Sequence, residues 1–431
     1  MALGKYIKSA SYLNSRVSAS ALLNQAPSFY DRSEGPEKDI NSSWLLWHIA
    51  YIYCDSDNGV TTPGTLYQTS LGWPSNSDRW SSIANAIANT TIQGIFDDLV
   101  FYLQGSADFA AFNTGALTYA QSVLVEGNAP GAVWDDTKAT AVGSAGGGAA
   151  HLSLSVPQTV KNLQLINNIS SGTPRGVYCN GKGACTIDGV KIKFTGTTVT
   201  GGSGITGTSA IPSTVTAYNC ILDLVNTNSI GANTAINLQT ASIGNFYNCT
   251  FRGTGGQATN PDNIVNCAFI DFTSFGGSSS GNYSYCATFN NSGTNPVVVS
   301  NWSDVFFNYT AWDYRLKSGA ALIGAGIGPT ADIRVPVRDI AGNTRSGATT
   351  DVGAALFVLV LTITSIDGDD TVYDNQVANI TGTGFGTVQG LVYIDGVQQS
   401  INSWTDTVIN ITVEQGALSL GAATLKVFKP I

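Results

Sequence analysis

The dipeptide Asn-Cys recurs three times in mid-chain, each time between short apolar runs. The copies are AYNCILDL (Ala217 to Leu224), FYNCTFRG (Phe246 to Gly253) and IVNCAFID (Ile264 to Asp271). From Cys220 the next cysteines follow after 29, 18 and 19 residues, at Cys249, Cys267 and Cys286. One strand-like motif per period of roughly 20–30 residues marks a solenoid. In a parallel β-helix successive coils stack about 4.8 Å apart, so equivalent side chains form ladders. Cysteine is small and readily buried. Cys220, Cys249, Cys267 and Cys286 are therefore expected to form a core ladder. Each preceding Asn is expected to bond to the Asn or backbone of the next coil. Seven cysteines is an odd number, and ladder positions are equivalent, so no disulfide framework is expected. Cys179 and Cys185, on either side of the NGKGA turn, are the one pair considered for bridging.

The composition agrees with many short strands and turns. Only 11% of residues are charged, and Gly numbers 48. Gly, Asn and Ser supply turn geometries, while β-branched and aromatic residues fill strands. The net charge of −9 argues against a broad nucleic-acid surface, which needs clustered Lys and Arg. No apolar run reaches the roughly 18 residues of a membrane span. The N-terminal stretch has no continuous apolar block, so no secretory leader is expected.

Three regions follow along the chain. In residues 1–43, Leu3, Ile7, Ala10, Leu13 and Val17 fall at loosely helical spacing, followed by the polar loop RSEGPEK. So weakly amphipathic a helix is marginal alone, and the segment is expected to anchor onto another protein. Residues 44–355 carry the repeats. Residues 356–431 alternate apolar strands with Gly turns, the pattern of a β-sandwich.

The middle region resembles right-handed parallel β-helices of the pectate-lyase-like group. The resemblance is sharpest in DYRLKSGAALIGAG (Asp313 to Gly326) and RDIAGNTRSGATTDVGAAL (Arg338 to Leu356). That pattern resembles the closing coil of bacterial and phage β-helices, with Ala320 where Ser is usual. The last region resembles the immunoglobulin-like TIG domain, through TITSI (Thr362 to Ile366), ITGTGFG (Ile380 to Gly386), VYIDG (Val392 to Gly396) and SWTDTVINITV (Ser403 to Val413). The whole is thus expected to be all-β: a right-handed parallel β-helix, then an immunoglobulin-like sandwich, behind a short docking segment.

Few residues point to chemistry. Two His without a His/Cys cluster make a zinc site unexpected. No phosphate-cradling loop or nucleophile elbow occurs, and no cofactor or metal is expected. Counting three positions past Cys185, Cys220 and Cys249 gives Asp188, Asp223 and Arg252. By strand alternation these face outward, and a pair of carboxylates about 5–10 Å apart is what glycoside hydrolysis requires. A solvated charged face gives the same pattern and is the preferred reading. TPRG (Thr173 to Gly176) holds the Pro-Arg pair of lyase-type sites without the flanking basic residues. DSDNG (Asp55 to Gly59) places Gly at position five rather than six of a calcium loop, so a turn is expected. DGDD (Asp367 to Asp370) reads as a hairpin tip. Tyr283, Tyr285, Trp312 and Tyr314 are candidates for stacking on sugars, although capping of the last coil is the simpler role.

The organisation resembles a bacteriophage virion surface protein, either a tail spike or fibre or a head decoration. That resemblance implies assembly in the host cytoplasm and display on the particle surface. It implies docking to other virion proteins through residues 1–43, a homotrimer, and contact with host surface polysaccharide. A polysaccharide depolymerase and a bacterial surface adhesin are the alternatives.

Overall fold

The computed structural model describes residues 49–428 apart from short segments between strands, the longest being 90–97, 226–233, 273–281 and 415–423. The proposed docking segment, residues 1–43, lies outside the described residues, as do Thr173, Pro174 and most of DGDD. The chain divides into two compact units, residues 1–356 and 357–431.

The first unit is built on three long parallel sheets of nine, seven and six strands. The chain visits them in strict rotation. Asp98–Gln104 lies in the first sheet, Phe109–Ala110 in the second, Phe112–Asn113 in the third, and Ser122–Glu126 returns to the first. Every coil adds one strand to each sheet until Ala268–Ile270, an arrangement consistent with a parallel β-helix. Alternation decides which side chains go inside. In Asp98–Gln104, Leu99, Phe101 and Leu103 are buried while their neighbours are partly exposed.

The register stacks equivalent residues. Ile52, Phe101, Val125, Val160, Ile187, Ala217, Phe246, Ile264 and Tyr283 occupy one position in successive first-sheet strands. All nine are buried. Each such aliphatic or aromatic side chain contributes roughly 1.5–3 kcal/mol of transfer free energy. Phe251 and Phe269 stack at 5.0 Å in the second sheet.

The Asn-Cys units sit at the corner between the first and second sheets. Asn219, Asn248 and Asn266 all have left-handed backbones, with φ of 52°, 50° and 55°. Asn162 and Gly189 hold the corresponding corner of two earlier coils, and Tyr285 that of a later one, at φ 52°, 63° and 53°. Asn and Gly adopt this conformation most cheaply, which explains their recurrence. The next residue then turns inward: Leu163, Val190, Cys220, Cys249, Cys267 and Cys286, each 0–1% exposed. The backbone N–H groups of Cys249 and Cys267 donate to the sulfurs of Cys267 and Cys286, both at 3.4 Å. Burial pushes the Cys220, Cys249 and Cys267 thiols well above their ordinary range.

Cys185 does not share this column. It pairs in register with Gln158 and Val215 inside the first sheet. Counting from it as a ladder residue therefore misplaces Asp188, because Val190 holds the corner position of that coil. Cys179 and Cys185 are both free thiols, as are the other five cysteines. Native protein is thus expected to be nearly inert to a thiol-reactive dye, with all seven thiols released in denaturant without reductant. Fewer than seven under those conditions would reveal a bridge.

Both outer edges of the nine-stranded sheet are paired. Tyr51 exchanges backbone bonds with Gln68 at 2.8 and 3.0 Å, and Trp80 bonds to Tyr53 and Asp55. At the far end Thr294 bonds to Tyr283 and Tyr285.

The DYRL…DVGAAL stretch does not form a closing coil. Residues 320–356 run as a strap alongside the stack, docked on the Asn corners. Asn266 exchanges two bonds with Ile327, donating at 2.7 Å and accepting at 2.9 Å. Asn248 donates to the Asp351 carbonyl at 3.1 Å and Asn219 to that of Arg338 at 3.0 Å. Asp339 closes the AGN turn by accepting from the Ala341 and Asn343 amides, with Gly342 at φ 85°. That turn aims Arg345 inward, where it is 2% exposed. Arg345 donates to Asn219 Oδ1 and to the carbonyls of Arg338, Gly353 and Ala354. Burial pulls its pKa down to about 10, still well above neutrality.

The second unit has a four-stranded and a three-stranded antiparallel sheet. One apolar core draws Ile380, Ile409 and Ile411 from the former and Val392 and Ile394 from the latter.

Candidate functional site

The second sheet, in strands Lys191–Phe194, Ile221–Asp223 and Thr250–Arg252, carries a group of charged side chains packed against aromatic rings. Register places Lys193, Asp223 and Arg252 side by side on successive coils. Two segments cover them: residues 131–138, and residues 301–316 with their short antiparallel pair Phe306–Asn308 and Asp313–Leu316. Asp223 is 2% exposed and so does not face solvent as its position in the strand predicts. Strand alternation specifies the outer face of a sheet, but the 301–316 segment covers that face here.

Both carboxylate oxygens of Asp223 accept from protein donors. Oδ2 accepts from the Tyr314 hydroxyl at 2.6 Å and from Arg252 at 3.1 Å, and Oδ1 accepts from the Val225 amide at 3.1 Å. Burial pushes its carboxyl above the usual range, against the opposing pull of Arg252 and Tyr314. Arg252 also donates to Asp271 at 3.2 Å and to the Tyr309 carbonyl at 3.4 Å, with its guanidinium 5.0 Å above the Tyr309 ring.

Asp188 is elsewhere. It lies in the first sheet, in register with Lys161 and Tyr218, half-buried and accepting from Asn219 at 3.3 Å. Burial raises its pKa as well. Asp188 and Asp223 therefore do not stack, and the acid–acid–base row reduces to the Asp223–Arg252 pair.

The four aromatic candidates separate. Tyr283 and Tyr314 are buried, at 6% and 2% exposure, and present no face to a sugar. Tyr283 closes the inner stack against Phe269 at 6.0 Å. Tyr285 holds a left-handed corner and is half-buried. Trp312 is half-buried with φ 61°, an unusual backbone for a bulky residue. Its ring lies over the Lys193 ammonium at 3.9 Å, and Trp134 covers the same ammonium at 4.1 Å. A cleft of about 220 Å³ opens here, lined by Trp134, Lys191, Lys193, Asp223, Trp312 and Tyr314 among others. That volume includes open solvent, and the enclosed part has room for about one water molecule.

Sequence reasoning missed Lys191, Lys193 and Trp134. The signal for the two lysines is in KIKF, a strand with both on the same face. What the strand pattern does not carry is the cover over that face.

Asp55 of DSDNG is fully buried in a turn. Its Oδ1 accepts from the Asp57 and Asn58 amides, and its Oδ2 from Arg79 and Gln104. Burial raises its pKa, yet these four donors outweigh it and hold the carboxyl below the usual range. A carboxylate so occupied by protein donors serves a turn rather than a cation. Among the described residues no group of three or more His, Cys, Asp or Glu is placed to hold a metal. None of the described helices is long and apolar enough to cross a membrane. No protein-family model, curated protein or solved structure matches the chain.

Proposed function

We propose that the protein is a non-catalytic structural protein of a bacteriophage particle surface, a tail spike or fibre or a head decoration. In this reading residues 1–43 dock to other virion proteins. The stacked coils form a right-handed parallel β-helix shaft, and the second unit is an immunoglobulin-like sandwich of TIG type. Both present surface to host glycans, as a homotrimer. The observation that carries the non-catalytic part is the closed Asp223–Arg252–Tyr314 network. An acid that must donate or accept a proton at a glycosidic bond needs an oxygen free to meet substrate. The resemblances in Asp313 to Leu356 and Thr362 to Val413 support the particle reading, as does a stack whose backbone groups pair along its length.

The chain is expected in purified particles at a fixed copy number, measured by quantitative mass spectrometry. Deleting residues 1–43 should abolish incorporation while the soluble remainder keeps its melting transition. Host capsule or lipopolysaccharide incubated with the protein should release no reducing sugar. Release that Asp223→Asn abolishes in a folded protein would establish a depolymerase instead. Absence from particles would remove the virion reading.

A further inference from the structure

The chain passes from the first unit to the second after Leu356, and the residues just before that point are densely fastened. The Asp351 carbonyl accepts from Asn248 at 3.1 Å, and its Oδ1 accepts from the Gly324 amide at 2.7 Å. The Val352 amide donates to the Leu322 carbonyl at 3.0 Å, and the Gly353 amide to that of Asn266 at 2.8 Å. The Ala354 amide donates to Thr250 Oγ1 at 3.0 Å. The carbonyls of Gly353 and Ala354 both accept from Arg345 at 3.1 Å, and that of Ala354 also from the Ile340 amide at 3.0 Å. The Leu356 amide donates to Asp339 Oδ2 at 2.9 Å.

These partners come from two successive coils, through Asn248, Thr250 and Asn266, and from the beginning and middle of the strap. Asp351, Val352, Ala354 and Ala355 are 0–7% exposed, so water does not replace a bond as it opens. Gly353 makes the close approach possible. Its φ is 99°, and a Cβ there would meet Thr250 Oγ1 at 2.8 Å. A pull transmitted along the backbone from residue 357 meets all of these bonds within residues 351–356. Peeling the strap therefore means breaking them nearly together.

The second unit is fastened differently. Its first strand, Thr362–Ile366, lies at the edge of the four-stranded sheet and breaks register between Ile363 and Ser365. Among the described strands it pairs with Val377–Thr383 alone. Its last strand, Leu425–Phe428, lies at the edge of the three-stranded sheet and pairs there with Leu391–Ile394 alone. Both ends through which this unit can be pulled are thus edge strands with one neighbour. A unit of residues 357–431 also buries a smaller share of its surface than a larger one does.

We propose that residues 351–356 are a mechanical clamp. Tension on the second unit is taken up by unfolding of that unit, while the strap and the coils stay closed. The inference rests on the reading of the protein as a particle-surface component that meets a host, since a pull arises there. The second unit then serves as an extensible link, and the stack keeps its form while a particle is tugged against the surface it has met.

The test is optical-tweezers stretching of the full-length protein between its C-terminus and a handle attached at position 122 of a Ser122→Cys variant. Ser122 is exposed on the first sheet, and the seven native thiols are buried. Unfolding the second unit releases about 250 Å of chain and peeling residues 320–356 about 125 Å, at roughly 3.3–3.6 Å per residue. The longer step should come first in the otherwise native protein. At a fixed force the strap should open about tenfold or more faster in Arg345→Met, which removes two charge-assisted bonds from the clamp. Thr250→Val removes one acceptor, keeps the side-chain shape, and should shift the strap step the same way by less. It decides the matter if Arg345→Met does not fold. Arg338→Met should open like the native strap. A shorter step preceding the longer one in the native protein, or strap opening unchanged in Thr250→Val, would overturn the clamp and leave the particle reading standing. The expected order of steps in a protein absent from particles would remove the particle reading and leave the clamp.

Discussion

Arg345→Met is expected to destabilise the first unit by about 3–5 kcal/mol, because it removes a buried charge that ties four acceptors together and leaves Asn219 Oδ1 and the Gly353 carbonyl without a donor, while the Arg338 and Ala354 carbonyls keep Asn219 and the Ile340 amide. Asn219 Oδ1 and the carbonyls of Arg338, Gly353 and Ala354 all lose a donor at once. For a unit of this size each kcal/mol shifts the melting temperature by roughly 2 °C, so a fall of about 6–10 °C should be seen by calorimetry. Proteolysis within residues 320–356 should accelerate, since the strap loses its central fastening. Arg338→Met serves as the comparison, because the Arg338 side chain donates only to the Gly342 carbonyl in an exposed turn. If Arg345→Met melts with the wild type and resists protease equally, the strap is not held as described.

Asp223→Ala should cost a similar amount, about 3–5 kcal/mol, by leaving Arg252 and the Tyr314 hydroxyl without their shared acceptor. Asp223→Asn should cost less, since an amide oxygen still accepts. The measurement is urea unfolding, with the midpoint falling and the slope unchanged. The sign separates two roles for this carboxylate. Active-site groups are often held at some expense to stability, so replacing one is commonly neutral or stabilising. A folded Asp223→Ala protein with the wild-type midpoint would remove the fastening role and reopen the catalytic one.

Much of the all-β, stacked arrangement was legible in the sequence because Asn-Cys imposes two conditions at once. Asn tolerates the left-handed corner, and the following small apolar residue must fit a dry column. Those conditions are local, so a short motif reports them. The column begins earlier than its cysteines, at Leu163 and Val190, where residues of other types satisfy the same packing. This is why Cys185, a buried cysteine in the wrong register, led to Asp188. The site was less legible for a different reason. Alternation tells which face of a strand a side chain occupies, but whether that face meets water depends on segments far along the chain. Tyr314 reaches Asp223 across 91 residues, and Arg345 reaches Asn219 across 126. The Asp339-Ile-Ala-Gly-Asn343 turn and Arg345 stood out as a motif, but its partner, the row of Asn corners, becomes visible only when both are placed in space.

The paired outer strands of the nine-stranded sheet bear on behaviour at high concentration. Tyr51, Tyr53 and Asp55 at one end, and Tyr283 and Tyr285 at the other, already spend main-chain groups on Gln68, Trp80 and Thr294. A second molecule approaching head-on finds that hydrogen-bonding row occupied by the first molecule's own chain. Through this sheet, then, copies can crowd together without zipping edge to edge, and ordered association at it has to come from side-chain packing instead.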